Sequence, residues 1–533
     1  MLFSHSNPTI GTLVHQGVVG KALVRQSPDW CKVIGLSWYD APRLERNDES
    51  ELAAVAMRLG AGCEFGAEYP KYKLWDVDWS TNALSFENWL SNHYGRRDEK
   101  AMVEQYAKAK VRYDTRQGQY GEDLRVEANL KDERYAGKLN EVKPRLVMKV
   151  ADLSQQVDIS PFVTSLSQSI KDYCRNVDES IVYECGMTGE EVGDWMERMM
   201  ERFPIAIEND YSQFESRVTY EALEANHKFY SDCGAPPRVK RQFKTYYNPV
   251  FFLSGRKFRR IAGRVSGVSD TSLGNSHANA LAIAGILAEL GFLKGQDYAL
   301  IVRGDDSVLF CTFEVLEHLD TIQERIADLG HKAKIVVRTR SEYPLLEYCS
   351  CRFLPDQSGR LTMVTKFGKL LASGVHCPPN ADWGKYVVPM MIQHYQYSPS
   401  SLTQWWAWRW LTDATDTPTL TEPEVLHSHV SVYGITADEF KAGMGRPSGP
   451  IWRIPDNFVT RSIVAADCPV DETEMHNCYR PPVPFVAPMN FGSSVTSGVA
   501  KIKAIITREF RPHVIENPDI DFVGWEDLFT PGD

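Results

Sequence analysis

The chain has 533 residues, several times one ordinary domain, so it forms several lobes or one large multi-lobed body and is no minimal binding module. Apolar residues make up 43% and charged residues 24%, an ordinary globular balance that excludes general disorder. With 59 basic against 70 acidic residues the net charge is −11, which excludes a surface that coats nucleic acid everywhere and leaves room for a local basic tract.

Eleven scattered cysteines, an odd number, and the lack of a signal-peptide pattern point to a reducing, intracellular setting. The longest apolar stretch, Ala278 to Leu293, is interrupted by Asn279 and Glu289, so no intrinsic membrane span is expected.

In chain order, residues 1 to about 150 read as an irregular lobe of helices and extended loops with a charge-dense run from Arg96 to Lys149. The spacing of Trp195, Met196, Met199 and Met200 predicts an amphipathic helix over Met187 to Phe203, and Pro204 to Ile207 predicts a strand that delivers Asp210 to its end. Between Arg238 and Arg264 stand nine basic residues and no acidic one, a segregated positive surface on an acidic protein. A long helix follows Ser266-Gly267, with Gly291 at its C-terminal cap. The apolar runs Ala299 to Val302 and Ser307 to Phe310 flank Arg303-Gly304-Asp305-Asp306, a hairpin with two carboxylates at its tip. Phe313 to Leu329 reads as one helix, Lys334 to Val337 as a strand, and Cys349 to Thr365 as another hairpin. Beyond Leu370 the chain is rich in Trp, and from Pro469 it becomes a tail containing Pro, Ser and Gly.

If the strand ending at Asp210 neighbours the Asp305-Asp306 hairpin, three carboxylates converge. Hard divalent cations take a few carboxylate oxygens together with substrate phosphates, so such a cluster suits phosphoryl transfer. A bare Gly-Asp-Asp is also a common turn. Here it stands in an ordered series. Asp210-Tyr211-Ser212-Gln213-Phe214-Glu215, Ser266-Gly267-Val268-Ser269-Asp270-Thr271-Ser272-Leu273-Gly274-Asn275 and Arg303-Gly304-Asp305-Asp306-Ser307 succeed one another as do the palm motifs of the RNA-directed RNA polymerases of positive-strand RNA viruses, which the chain resembles.

That resemblance implies an α+β right hand: fingers over 1–185 with a basic insertion over 225–262, a palm over 186–224 and 263–365 built on a small antiparallel sheet backed by helices, a mainly helical thumb over 366–468 and a tail over 469–533. It implies RNA-templated transfer of a nucleoside monophosphate from an NTP to an RNA 3′-hydroxyl. Asp210, Asp305 and Asp306 are implied as the catalytic carboxylates holding Mg²⁺, for which Mn²⁺ can substitute. Glu215, Ser266, Thr271 and Asn275 are implied around the ribose 2′-hydroxyl, with Glu215 standing where the family usually has Asp. Lys143 and Arg145 fall where the family binds the incoming nucleotide. Lys332 or Lys334 is implied as a general acid toward pyrophosphate, and the sequence does not choose between them.

Gly267, Arg256, Lys257, Arg259, Arg260 and Arg264 are expected at the RNA, the arginines and lysine through phosphate. Leu346 to Phe353 resembles the hairpin that grips the primer strand. Cys349, Cys351, His376 and Cys377 lack a standard zinc spacing, so buried free thiols in the hairpin are expected rather than a zinc site. Trp405, Trp406, Trp408 and Trp410 read as thumb packing, and Tyr479 or Phe485 in the tail as a platform for a first nucleotide. The expected partners are template and nascent RNA, NTPs and other viral replication proteins. The expected location is the host cytoplasm, in virus-induced membrane-associated complexes reached through those partners. A reverse transcriptase and a catalytically silent RNA-binding scaffold are the alternatives; Ser266, Thr271 and Asn275 speak against the first and the retained carboxylates against the second.

Overall fold

The computed structural model describes residues 2–3, 10–16, 18–25, 54–55, 58, 64–92, 97–118, 123–130, 133–134, 146–355 and 360–366. Its strands are β1 (Leu2–Phe3), β2 (Ile10–Gln16), β3 (Val18–Arg25), β4 (Leu124–Leu130), β5 (Glu133–Arg134), β6 (Leu146–Val150), β7 (Ile181–Tyr183), β8 (Ile205–Tyr211), β9 (Pro249–Leu253), β10 (Arg256–Arg259), β11 (Tyr298–Arg303), β12 (Asp306–Cys311), β13 (Ala333–Thr339), β14 (Cys351–Pro355) and β15 (Leu361–Thr365). Among the described residues they form four small sheets, backed by helices in an α+β arrangement.

The sheet that carries the acidic motifs has the order β13-β8-β12-β11-β7. Four of its strands are antiparallel neighbours, but β7 runs parallel to β11, so the sheet is mixed rather than purely antiparallel as expected. Residues 298–302 of β11 and 307–311 of β12 are buried throughout, as their continuous apolar character requires of strands covered on both faces. Trp195, from the Gly189–Arg202 helix, packs edge-on against Phe310 of β12 at 5.8 Å. That helix opens with the reciprocal capping pair Thr188 and Glu191.

Helix Thr271–Glu289 is apolar nearly all round and buried from Leu273 to Leu287, the character of a helix enclosed by its neighbours. It ends as expected: Gly291 has a φ of 93°, its N–H reaches the carbonyl of Ala288 and the N–H of Phe292 reaches that of Leu287. The expected helix from Phe313 to Leu329 is broken into Phe313–Leu316 and Leu319–Asp328.

A second sheet, β10-β9-β4-β6, occupies the region read as irregular and the basic tract after it. In β4 the apolar Leu124, Val126, Ala128 and Leu130 turn inward while Arg125, Glu127 and Asn129 turn out, the alternation a half-buried strand demands. Residues 366–533 contribute only Lys366 to the described set, so the thumb, the tryptophan run, His376, Cys377 and the tail with Tyr479 and Phe485 lie outside it.

Candidate active site

The β11–β12 hairpin closes through Gly304 and Asp305, with Arg303 paired across to Asp306. Gly304 alone in this turn has a positive φ, 64°, the pattern of a type II′ turn whose first central position favours glycine. β12 lies beside β8 with Ser307 opposite Asn209, so the next pair in that register brings Asp306 to Asp210. On the other side of β8, Lys334 of β13 stands opposite Asp210 and donates to its carboxylate at 2.9 Å. Lys332 instead offers its backbone carbonyl to the Ser212 N–H.

The convergence is visible in the electrostatics. Burial pushes the Asp306 carboxyl up to about 6, the charges of Asp305, Asp210 and Glu347 add to the rise, and a hydrogen bond from Cys349 opposes it. Among the described residues no group of three or more His, Cys, Asp or Glu stands at cage spacing for a metal ion. Mg²⁺ does not require such a cage, because it keeps several waters and binds through one or two carboxylates plus substrate phosphates. A hard, all-oxygen donor set of mutually repelling carboxylates, with Asp210 exposed, fits that cation.

Among the residues implied around the ribose, Arg264 links Glu215 and Asn275: its backbone N–H donates to the Glu215 carbonyl and its guanidinium to the Asn275 side chain. Glu215 follows a left-handed Gln213, which turns the chain out of β8 into a 3₁₀ turn. The Glu215 carboxylate accepts from Ser266 Oγ at 2.5 Å and pairs with Arg58 at 3.5 Å. Asn275 is 4% exposed, its Oδ1 accepting from Arg264 Nε at 3.1 Å. Thr271, at the first turn of the long helix, donates to the carbonyls of Val265 and Val268. Gly267 is exposed, without a positive φ. Glycine is required there by close approach, since a Cβ would lie 2.4 Å from the Met148 carbonyl oxygen on β6.

The basic tract divides as well. Lys257 and Arg259 on β10 are exposed and Arg256 is half-buried, with Arg259 paired to Asp123 at 2.7 Å. Arg260 and Arg264 depart from the expectation of an RNA surface, being 5% and 1% exposed. Arg260 donates to the carbonyls of Arg58 and Ser216, and Arg264 to Asp270 at 2.7 Å. These internal acceptors are what allow two guanidinium groups to be buried. Lys143 and Arg145 lie outside the described residues.

In the hairpin that resembles the primer grip, Tyr348 and Cys351 pair across Cys349 and Ser350, both with positive φ. Reading the sequence missed Arg58, Glu184, Ser276 and Asn279. Glu184, 2% exposed at the end of β7, pairs with Arg303 at 3.3 Å, and burial pushes its carboxyl up to about 7. Ser276 and Asn279 lie under the Gly304 turn; in the sequence they are two of several polar residues in the first half of a helix whose second half is apolar.

Carboxylates at adjoining strand ends, one of them paired with a lysine, are consistent with the palm of a polymerase. Residues 167–386, which contain all three acidic and Ser-Gly motifs, match the family described as viral RNA dependent RNA polymerase. The chain is 28% identical over 211 residues to the RNA-directed RNA polymerase of Cucumber necrosis virus, covering 37% of this chain and 24% of that protein. It is 26% identical over 236 residues to that of Tobacco necrosis virus (strain A), covering 40% and 32%. Against the Panicum mosaic virus enzyme it is 30% identical over 140 residues, covering 24% and 13%. The matched region thus spans a third or less of each of these relatives. It supports the resemblance that the motifs imply.

Proposed function

We propose that the chain catalyses RNA-templated addition of nucleoside monophosphates from NTPs to an RNA 3′-hydroxyl, releasing pyrophosphate. The observation that carries this reading is the strand register that sets Ser307 opposite Asn209, with Asp306 and Asp210 the next residues on the two strands, beside the Gly304-Asp305 turn. Asp210 and Asp305, assisted by Asp306, are the residues to hold Mg²⁺. When bound, it supplies positive charge for the triphosphate and acidifies the attacking hydroxyl.

The chain's own groups do the remainder. Glu215 and Ser266, already joined to each other and braced by Arg58, offer a fixed polar pair to a ribose 2′-hydroxyl, and a sugar lacking that group leaves the pair unsatisfied. Lys334, already beside Asp210, is placed better than Lys332 to give a proton to departing pyrophosphate. Exposed Lys257 and Arg259 on β10 offer sequence-independent phosphate contacts.

RNA, NTPs and other replication proteins are the partners in this reading, within cytoplasmic, membrane-associated complexes. Among the described residues no helix is long and apolar enough to cross a membrane. Primer extension on an RNA template with Mg²⁺ tests the proposal. Incorporation of NTPs in preference to dNTPs is expected, dNTP preference indicates a reverse transcriptase, and incorporation of neither indicates an RNA-binding scaffold.

A further inference from the structure

Gly304 is not wedged in place by packing: a Cβ built on it would meet no atom within 4 Å. What fixes the turn is hydrogen bonding from below. Ser276 Oγ accepts from the Gly304 N–H at 2.7 Å while donating to the Ser272 carbonyl at 2.8 Å. One turn further along the helix, Asn279 Nδ2 donates to the carbonyls of both Gly304 and Asp305, each at 3.2 Å. Asn279 Oδ1 accepts from Ser307 Oγ at 3.4 Å, and Ser307 Oγ accepts in turn from Asn209 Nδ2 at 3.4 Å. Asn209 is the residue before Asp210. A continuous chain of hydrogen bonds therefore joins the helix to the turn bearing Asp305 and to the strand bearing Asp210.

Ser276 and Asn279 are fully buried, at 0% exposure, in a helix whose other buried positions are mostly apolar. A buried amide is tolerated only when its donors and acceptor are matched, so these two side chains and the turn hold each other in one arrangement. The same helix begins at Thr271 and carries Asn275, so groups implied in sugar recognition ride on the rigid element that holds the acidic turn.

We propose that Ser276 and Asn279 are positioning residues that set the place of the Asp305 carboxylate relative to Asp210 and so tune divalent-cation binding. The inference rests on the polymerase reading for its catalytic consequence and on the hydrogen bonds alone for its metal consequence.

The test uses the full chain and two readouts: Mn²⁺ binding by calorimetry without RNA or NTP, and single-nucleotide addition. Removal of a group that orients a metal ligand typically weakens metal affinity or activity by about 10- to 100-fold, and Asn279→Ala is expected in that range for both, with KM for NTP changed by less than about threefold. Ser276→Ala is expected to lose about tenfold, and Ser276→Thr, which keeps the hydroxyl under Gly304, to recover most of it. Asn279→Ala with Mn²⁺ affinity within about twofold of wild type overturns the inference, as does a Thr variant as impaired as the Ala variant. If Asn279→Ala does not fold, the Ser276 pair decides. A wild-type chain that binds Mn²⁺ but adds no nucleotide removes the polymerase reading, and the Mn²⁺ affinities of the variants still support or overturn the positioning role.

Discussion

Lys334 stands directly across from Asp210 on neighbouring strands, its ammonium 2.9 Å from the carboxylate and both side chains more than half exposed. An exposed pair of this kind contributes about 0–1 kcal/mol to stability, so its importance is chemical rather than structural. Lys334→Ala is expected to leave the melting temperature nearly unchanged and to slow nucleotide addition by about 100-fold, within the range for loss of a general acid. Lys332→Ala should stay near wild type. Pre-steady-state incorporation by both variants checks the assignment, and equal losses would leave no reason to distinguish the two lysines.

The two halves of the basic tract should respond differently to alanine. Lys257→Ala with Arg259→Ala is expected to weaken binding to every RNA sequence and to reduce the salt slope by about 1–2, as loss of phosphate contacts does. Arg264→Ala should act on the fold: it strands Asp270, itself fully buried, at a cost of about 3–5 kcal/mol. Urea denaturation beside salt-dependent RNA titration separates these outcomes. Normal stability in Arg264→Ala would contradict the buried pair.

Acidic and basic signals in the sequence were therefore legible to different degrees. The strand bearing Asp210 and the hairpin bearing Asp305 and Asp306 were readable because short strands and a Gly-containing turn are local features. Arg264 misled because a run of positive charge looks like a surface; its burial depends on Asp270 and Asn275, whose positions come from the fold of the Ser-Gly loop. β7 was unreadable as a parallel edge because a three-residue strand carries too little pattern, and its partner lies more than a hundred residues away. Asn279 looked like an interruption in an apolar stretch. Its meaning appears only when β11 and β12 bring the turn over the helix.

Glu184 gives the stability a pH dependence of definite sign. Burial raises its folded-state value to about 7 from an ordinary 4.5, against an opposing charge from Arg303. The folded protein therefore binds this proton more tightly than the unfolded chain, and the associated stability is full below pH 4.5 and lost as pH rises through about 7. The difference is on the order of 3 kcal/mol between the two ends. Glu184→Gln should thus be more favourable relative to wild type at pH 8 than at pH 5. Melting temperatures of both proteins in chelator at those two pH values measure it, and a difference independent of pH would mean that the carboxyl titrates normally.

Primer extension by Asp305→Asn on an RNA template tests whether Asp305 belongs to a metal-dependent centre for RNA synthesis. Wild type is expected to incorporate NTPs with Mg²⁺, the variant to lose more than about 100-fold, and RNA affinity to stay within about twofold because no phosphate-contacting cation is removed. Incorporation by the variant within about tenfold of wild type, a barrier change near 1.4 kcal/mol, would contradict it.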